Sequence, residues 1–109
     1  MQIQLRSRGS SVTDAMRTWT ERRVLFALGQ FSGRVRTVRV TLTDENGPRG
    51  GVDQRCVMEA RVDGAGPVMS EVMDPDLYAA VSRAADRLSR CVRSTLDRER
   101  SSRRDASAA

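Results

Sequence analysis

Arg83, Arg87 and Arg90 stand at i, i+4 and i+7, a spacing that on a helix lines three guanidinium groups along one side. A guanidinium is a planar fork that meets phosphate oxygens with two parallel hydrogen bonds, so such a row can follow a polyanion. Arg93 flanks the row, and Arg22 and Arg23 sit far upstream in a second segment of helical pattern. The competing account is a solvated helix face. Asp86 and Asp97 interrupt the row and can form intrahelical ion pairs worth only about 0.2–0.5 kcal/mol each. From the residues alone, phosphate binding and plain solvation explain the row equally well.

Other chemistries find little to work with. The 109 residues contain no histidine and no lysine; 19 arginines face 14 acids, for a net charge of +5. No glycine-rich loop leads into a Lys-Ser or Lys-Thr pair, and no Cys or His cluster has metal-ligand spacing. Asp74 and Asp76 are close enough to act as a carboxylate pair, yet a helix start gives both a sufficient role through capping and the helix dipole. No catalytic residue, metal site or cofactor is expected. Cys56 and Cys91 sit in apolar patterns and read as core thiols. The positive charge lies at one end: residues 1–78 carry 11 arginines and 10 acids, whereas residues 79–109 carry 8 and 4. That imbalance favours a polyanionic partner. No apolar run approaches the roughly 20 residues that span a bilayer, which points to a cytosolic protein without a membrane partner.

These side chains need elements to hold them. Asp74 as N-cap and Pro75 as first helical residue predict a helix start, after which Leu77, Val81, Ala84, Leu88, Cys91 and Val92 share one side. The arginines point away from that stripe. Upstream, Thr13 and Asp14 offer an N-cap to a first helix with Met16, Thr20, Val24, Ala27 and Phe31 on one face, ended by Gly29, Ser32 and Gly33. Residues 2–6, 38–42, 55–62 and 68–73 read as strands; the first three alternate with period two. Residues 44–51, rich in glycine, predict a mobile surface loop, and Gly64-Ala65-Gly66-Pro67 a turn. The order β-α-β-β-β-α, with one apolar stripe per helix and one apolar face per strand, predicts an α+β fold: a four-stranded sheet with both helices on one face. Beyond about Leu96 the apolar pattern stops, so residues 1–97 form the expected domain and residues 98–109 a basic, disordered tail.

The run Asp76-Leu77-Tyr78-Ala79-Ala80-Val81 and the later Asp86-Arg87-Leu88-Ser89-Arg90 resemble the ribosome hibernation-promoting factor family, which includes the ribosome-associated inhibitor A proteins. Further matching stretches are Met1-Gln2-Ile3-Gln4, Val12-Thr13-Asp14-Ala15-Met16-Arg17, Arg34-Val35, Val38-Arg39-Val40-Thr41-Leu42 and Gly64. The resemblance spans roughly residues 1–100. It implies the same helix-on-sheet fold and a translation inhibitor that binds rRNA of the small ribosomal subunit near the mRNA and tRNA decoding channel. It implies no small-molecule substrate, a short form without the family's C-terminal dimerisation domain, and a monomer off the ribosome. The rRNA-binding set is then Arg22, Arg23, Arg83, Arg87, Arg90 and Arg93. Arg23 also falls near the apolar stripe, where it can lay its stem along the core edge.

Trp19 and Phe26, seven residues apart, share a helix side displaced from the main stripe, and core packing is the expected role for both. The family often carries a charged or polar residue where Phe26 stands. A protein contact or a stacking surface for a base are the other readings. Tyr78 is expected to pack near the last strand. Two other functions stay open: a protein-interaction module that retains the fold without ribosome binding, and a general double-stranded RNA binder.

Overall fold

The computed structural model describes residues 1–9, 12–44 and 53–108, with side chains described as far as Arg103. Its elements are β1 (Gln2–Arg8), α1 (Asp14–Leu28) with a 3-10 turn at Gly29–Phe31, β2 (Val35–Asp44), β3 (Gln54–Val62), β4 (Gly66–Asp74) and α2 (Leu77–Ala108). This is the β-α-β-β-β-α order that the patterning predicts. The strands lie in the order β1-β2-β3-β4; β1 pairs parallel with β2, and the other two pairings are antiparallel. A parallel pair needs a crossover, and α1 supplies it. The loop expected after β2 lies, from residue 45 to residue 52, outside the described residues.

Alternation builds the core. Val38, Val40 and Leu42 of β2 and Cys56, Met58, Ala60 and Val62 of β3 point to the helices, together with Val72 of β4. They meet Val24, Ala27 and Leu28 of α1 and Val81, Ala84, Ala85, Leu88 and Val92 of α2. Ser70 is the buried polar residue of β4, and its hydroxyl donates to the Ala84 carbonyl at 2.9 Å, which pins the edge strand to α2. Between β3 and β4 the chain reverses through Gly64 (φ +79°) and Gly66 (φ +81°), a left-handed conformation that glycine adopts without strain.

Thr13 caps α1 as expected, accepting from the Met16 N–H at 3.1 Å. The start of α2 differs from expectation by two residues. Asp76 is the cap: its carboxylate accepts from the Tyr78 N–H at 3.0 Å, and its carbonyl accepts the first helical bond from Ala80. Asp74 remains in β4, paired with Gln54, and its carboxylate accepts from the Asp76 N–H at 2.9 Å. Pro75 therefore precedes the helix, because the ladder still holds the residue before it.

The far end of α2 also differs. Residues 98–108, expected to be a disordered tail, continue the helix. Arg34, at the entrance to β2, reaches Glu99 at 2.8 and 3.1 Å and the Asp63 carbonyl at 2.7 Å, and Glu99 pairs with Arg103 one turn on. No glycine or proline follows Pro75, so the loss of apolar period marks the end of packing, not the end of the helix.

Candidate nucleic-acid interface

Helix α2 packs over β3 and β4 and runs beside α1, so its outward arginines divide between two flanks. On the β4 flank, Arg87 donates to the Glu71 carbonyl at 3.0 Å and Arg83 pairs with Asp74 at 3.0 Å. Arg90 has no polar partner among the described residues. A groove of about 780 Å³ lies here between β4 and α2, with Pro67, Met69 and Cys91 in its lining and Arg87, Arg90 and Arg98 around them. Since β4 is an edge strand, its open side is a liability. It is blunted here by Pro67, which carries no donor, and by the Arg87 bond to Glu71.

On the other flank α2 meets α1. Arg23 reaches across 63 residues to Asp86 at 2.6 Å and to the Ser82 carbonyl at 3.4 Å. Its side chain is only 19% exposed, and Nη1 is buried without a partner. Arg93 donates to the Gln30 side chain at 3.0 Å and lies over the Phe31 ring at 5.7 Å. Trp19 meets Tyr78 edge-to-face, with ring centroids 4.8 Å apart. Arg22 points away from both helices' contacts and has no polar partner among the described residues.

The six arginines are therefore not one patch. Arg83, Arg87 and Arg90 border the β4 flank, Arg93 turns to the end of α1, Arg22 stands exposed, and Arg23 is a strut between the helices. Charge compensation separates them further. Arg83 is neutralised by Asp74, whose carboxyl is held below the usual range by the Asp76 N–H first and Arg83 second. Arg87, Arg90, Arg93 and Arg22 keep an uncompensated charge, since a carbonyl or an amide oxygen satisfies a donor without cancelling it. Arg98 joins the groove, a position hidden from sequence reading because it fell in the expected tail.

Phe26 does not pack in the core: it is 85% exposed, with the Arg23 guanidinium 5.7 Å from its ring centre. Trp19 is half-buried against the core edge, as expected, and the Tyr78 ring meets it edge-to-face. The physical reason is shared. Phe26 lies beyond the reach of α2 and the sheet, and Trp19 is the ring that fills the seam. Cys56 is buried and its thiol is pushed up to about 12 by desolvation; Cys91 is half-buried, and both are free.

Among the described residues no three His, Cys, Asp or Glu side chains gather as a metal site, and no helix is long and apolar enough to cross a membrane. The arrangement can do one thing well, which is to present uncompensated guanidinium groups on a rigid helical layer.

Comparison with known proteins agrees on the kind of chain this is. Residues 3–100 match the family described as sigma 54 modulation protein / S30EA ribosomal protein. The N-terminal domain of Thermus thermophilus Protein Y is 31% identical and superimposes with a TM-score of 0.67, over 82% of this chain and 92% of that one. A ribosomal subunit interface protein from Coxiella burnetii has the same fold, with a TM-score of 0.73 at 13% identity, over 88% of this chain and 99% of that one. No curated protein matches. With the family match running from β1 well into α2, and a solved relative sharing nearly a third of its residues, the chain belongs to the sigma 54 modulation protein / S30EA ribosomal protein family, the hibernation-factor family that its sequence resembles.

Proposed function

We propose that this protein is a cytoplasmic hibernation factor that binds rRNA of the small ribosomal subunit near the decoding channel and holds idle ribosomes back from initiation. It acts without catalysis, as a monomer until it meets the ribosome. Arg22 on α1 and Arg87, Arg90, Arg93 and Arg98 on α2 contact phosphate oxygens, whereas Arg23 braces the two helices against each other. The observation that carries this reading is the uncompensated charge of the helical layer in a chain of a ribosomal protein family. Each phosphate contact releases condensed counterions, so affinity falls steeply with salt.

The test is co-sedimentation with small subunits and whole ribosomes across a salt series, with generic duplex RNA as competitor. Binding that survives the competitor and weakens with salt is the expected result. Binding lost to the competitor would instead mark a general double-stranded RNA binder. Absence of binding at low salt would leave a protein-interaction module that has kept the fold.

A further inference from the structure

Phe26, in the last turn of α1, is the most exposed of the large apolar residues described. Its surroundings are organised. The Arg23 guanidinium lies 5.7 Å from the ring centre and is itself fixed by Asp86 at 2.6 Å and the Ser82 carbonyl at 3.4 Å. A cation held against an aromatic ring restrains it at little cost. Arg22, one turn before Phe26 on the same side of α1, has no polar partner among the described residues.

We infer that Phe26 is a stacking platform for an unpaired RNA base, with Arg22 on the adjoining phosphate. This rests on the RNA-binding reading above and adds to it a contact of a different kind. Every base offers a π-face, so a phenylalanine with one side braced and the other in water receives bases without choosing among them. The neighbours select RNA over protein. A protein hot spot is ringed by further apolar side chains that exclude water; here the Arg23 guanidinium lies by the ring and Arg22 stands one turn before it, Leu25, 47% exposed, points about 100° round the helix, and Trp19 is engaged with Tyr78. A second copy of the chain would bring the uncompensated Arg22 against its own counterpart, whereas Arg23 is already paired with Asp86. The outer face of the sheet carries no aromatic among its described residues, so the helix offers the stacking surface that the sheet lacks.

The test titrates small ribosomal subunits with wild type, Phe26→Ala, Phe26→Leu, Phe26→Trp and Arg22→Gln over a salt series. Stacking loss predicts that Phe26→Ala and Phe26→Leu weaken binding by about tenfold or more. Their salt slope stays that of wild type, because the slope counts phosphates and not rings. Phe26→Trp binds at least as tightly as wild type, and Arg22→Gln lowers the slope by about 1. Photoreactive azidophenylalanine at position 26 crosslinks to rRNA. Equal binding by Phe26→Ala, full affinity in Phe26→Leu, or a crosslink to a ribosomal protein would each overturn the inference. The ring's exposure means that its removal leaves no core cavity, so unchanged melting temperatures confirm folded variants. Failure of the wild type to bind subunits would instead bring down the RNA-binding reading, and it is visible before any variant is compared.

Discussion

Two surfaces of this molecule are rich in arginine, and each mixes neutralised groups with free ones; on the strands, Arg6 and Arg39 have no polar partner among the described residues. On the outer face of the sheet, Arg55 meets Glu71 across the β3–β4 pair at 2.6 Å, and Arg61 lies 3.6 Å from Glu59 on its own strand. The Glu71 carboxyl is held below its ordinary range by the Arg55 hydrogen bond. On the helical layer, Arg87 and Arg93 rest on neutral oxygens, and Arg22 and Arg90 on none among the described residues. The number of arginines therefore says little about anion binding. What matters is how many are already neutralised, because a carboxylate partner must be displaced before a phosphate can take its place.

That contrast breaks most sharply under charge reversal. Arg22, Arg87 and Arg90 changed together to Glu should lose small-subunit binding by more than about a hundredfold, since hydrogen bonds to charged groups contribute roughly 1.5–3 kcal/mol each. The same reversal at Arg36, Arg55 and Arg61, strand arginines each already paired with a carboxylate, should leave affinity within a few-fold. Equal losses from both triples, read by co-sedimentation, would mean that net charge and not compensation decides. A smaller effect is expected from a bulky maleimide on Cys91, which lines the β4–α2 groove. Mass spectrometry should find Cys91 labelled in the native protein and Cys56 only after unfolding, because burial keeps the Cys56 thiol protonated. The labelled protein should bind more weakly if the groove faces RNA.

Within the helical layer, the strut can be told from the free groups by stability. Asp86→Ala leaves the largely buried Arg23 guanidinium without its carboxylate and should cost roughly 1–3 kcal/mol in denaturant unfolding. Asp97→Ala, on the same helix but outside the seam, should change stability by less than about 0.5 kcal/mol. The smallest effect is acid sensitivity. Arg34 is the main reason that Glu99 titrates below its ordinary value of 4.5. A carboxyl depressed in the folded state contributes stability that is complete above its unfolded pKa and disappears as pH falls through the folded one. Stability should therefore decline below about pH 4.5, and Glu99→Gln should flatten that part of a melting-temperature profile.

Much of the fold was legible because it rests on local period and local caps. Alternation at Val38, Val40 and Leu42 and at Cys56, Met58, Ala60 and Val62 marks half-buried strands wherever they pair. Thr13 announces α1 by a bond three residues away. The start of α2 was harder to read. Asp74-Pro75 and Asp76 are both acceptable helix starts, and the choice was made by the β3–β4 ladder, which still holds Asp74 opposite Gln54. The end of α2 was misread for the converse reason: Glu99 finds Arg34, 65 residues earlier, and no apolar pattern announces a polar anchor.

The arginine set shows the same division. Helical spacing was enough to place Arg83, Arg87, Arg90 and Arg93 away from the α2 core stripe. It had no means of separating Arg90, left uncompensated, from Arg83, neutralised by Asp74, or of assigning Arg23 to the helix seam. Phe26 and Trp19 share a helix side by spacing, yet one ring lies in water and the other fills the gap above Tyr78.

By itself, the sequence determined the element order, the inward face of each element, the basic character of α2 and the resemblance to a ribosomal family, because these follow from hydrophobic period, charge and motif along the chain. Only the tertiary structure decided which arginines keep their charge, which aromatic ring is open to a partner and where α2 begins and ends. Those outcomes depend on contacts between residues about 60 positions apart, or on competition between a strand ladder and a helix for the same backbone, and neither is written in local spacing.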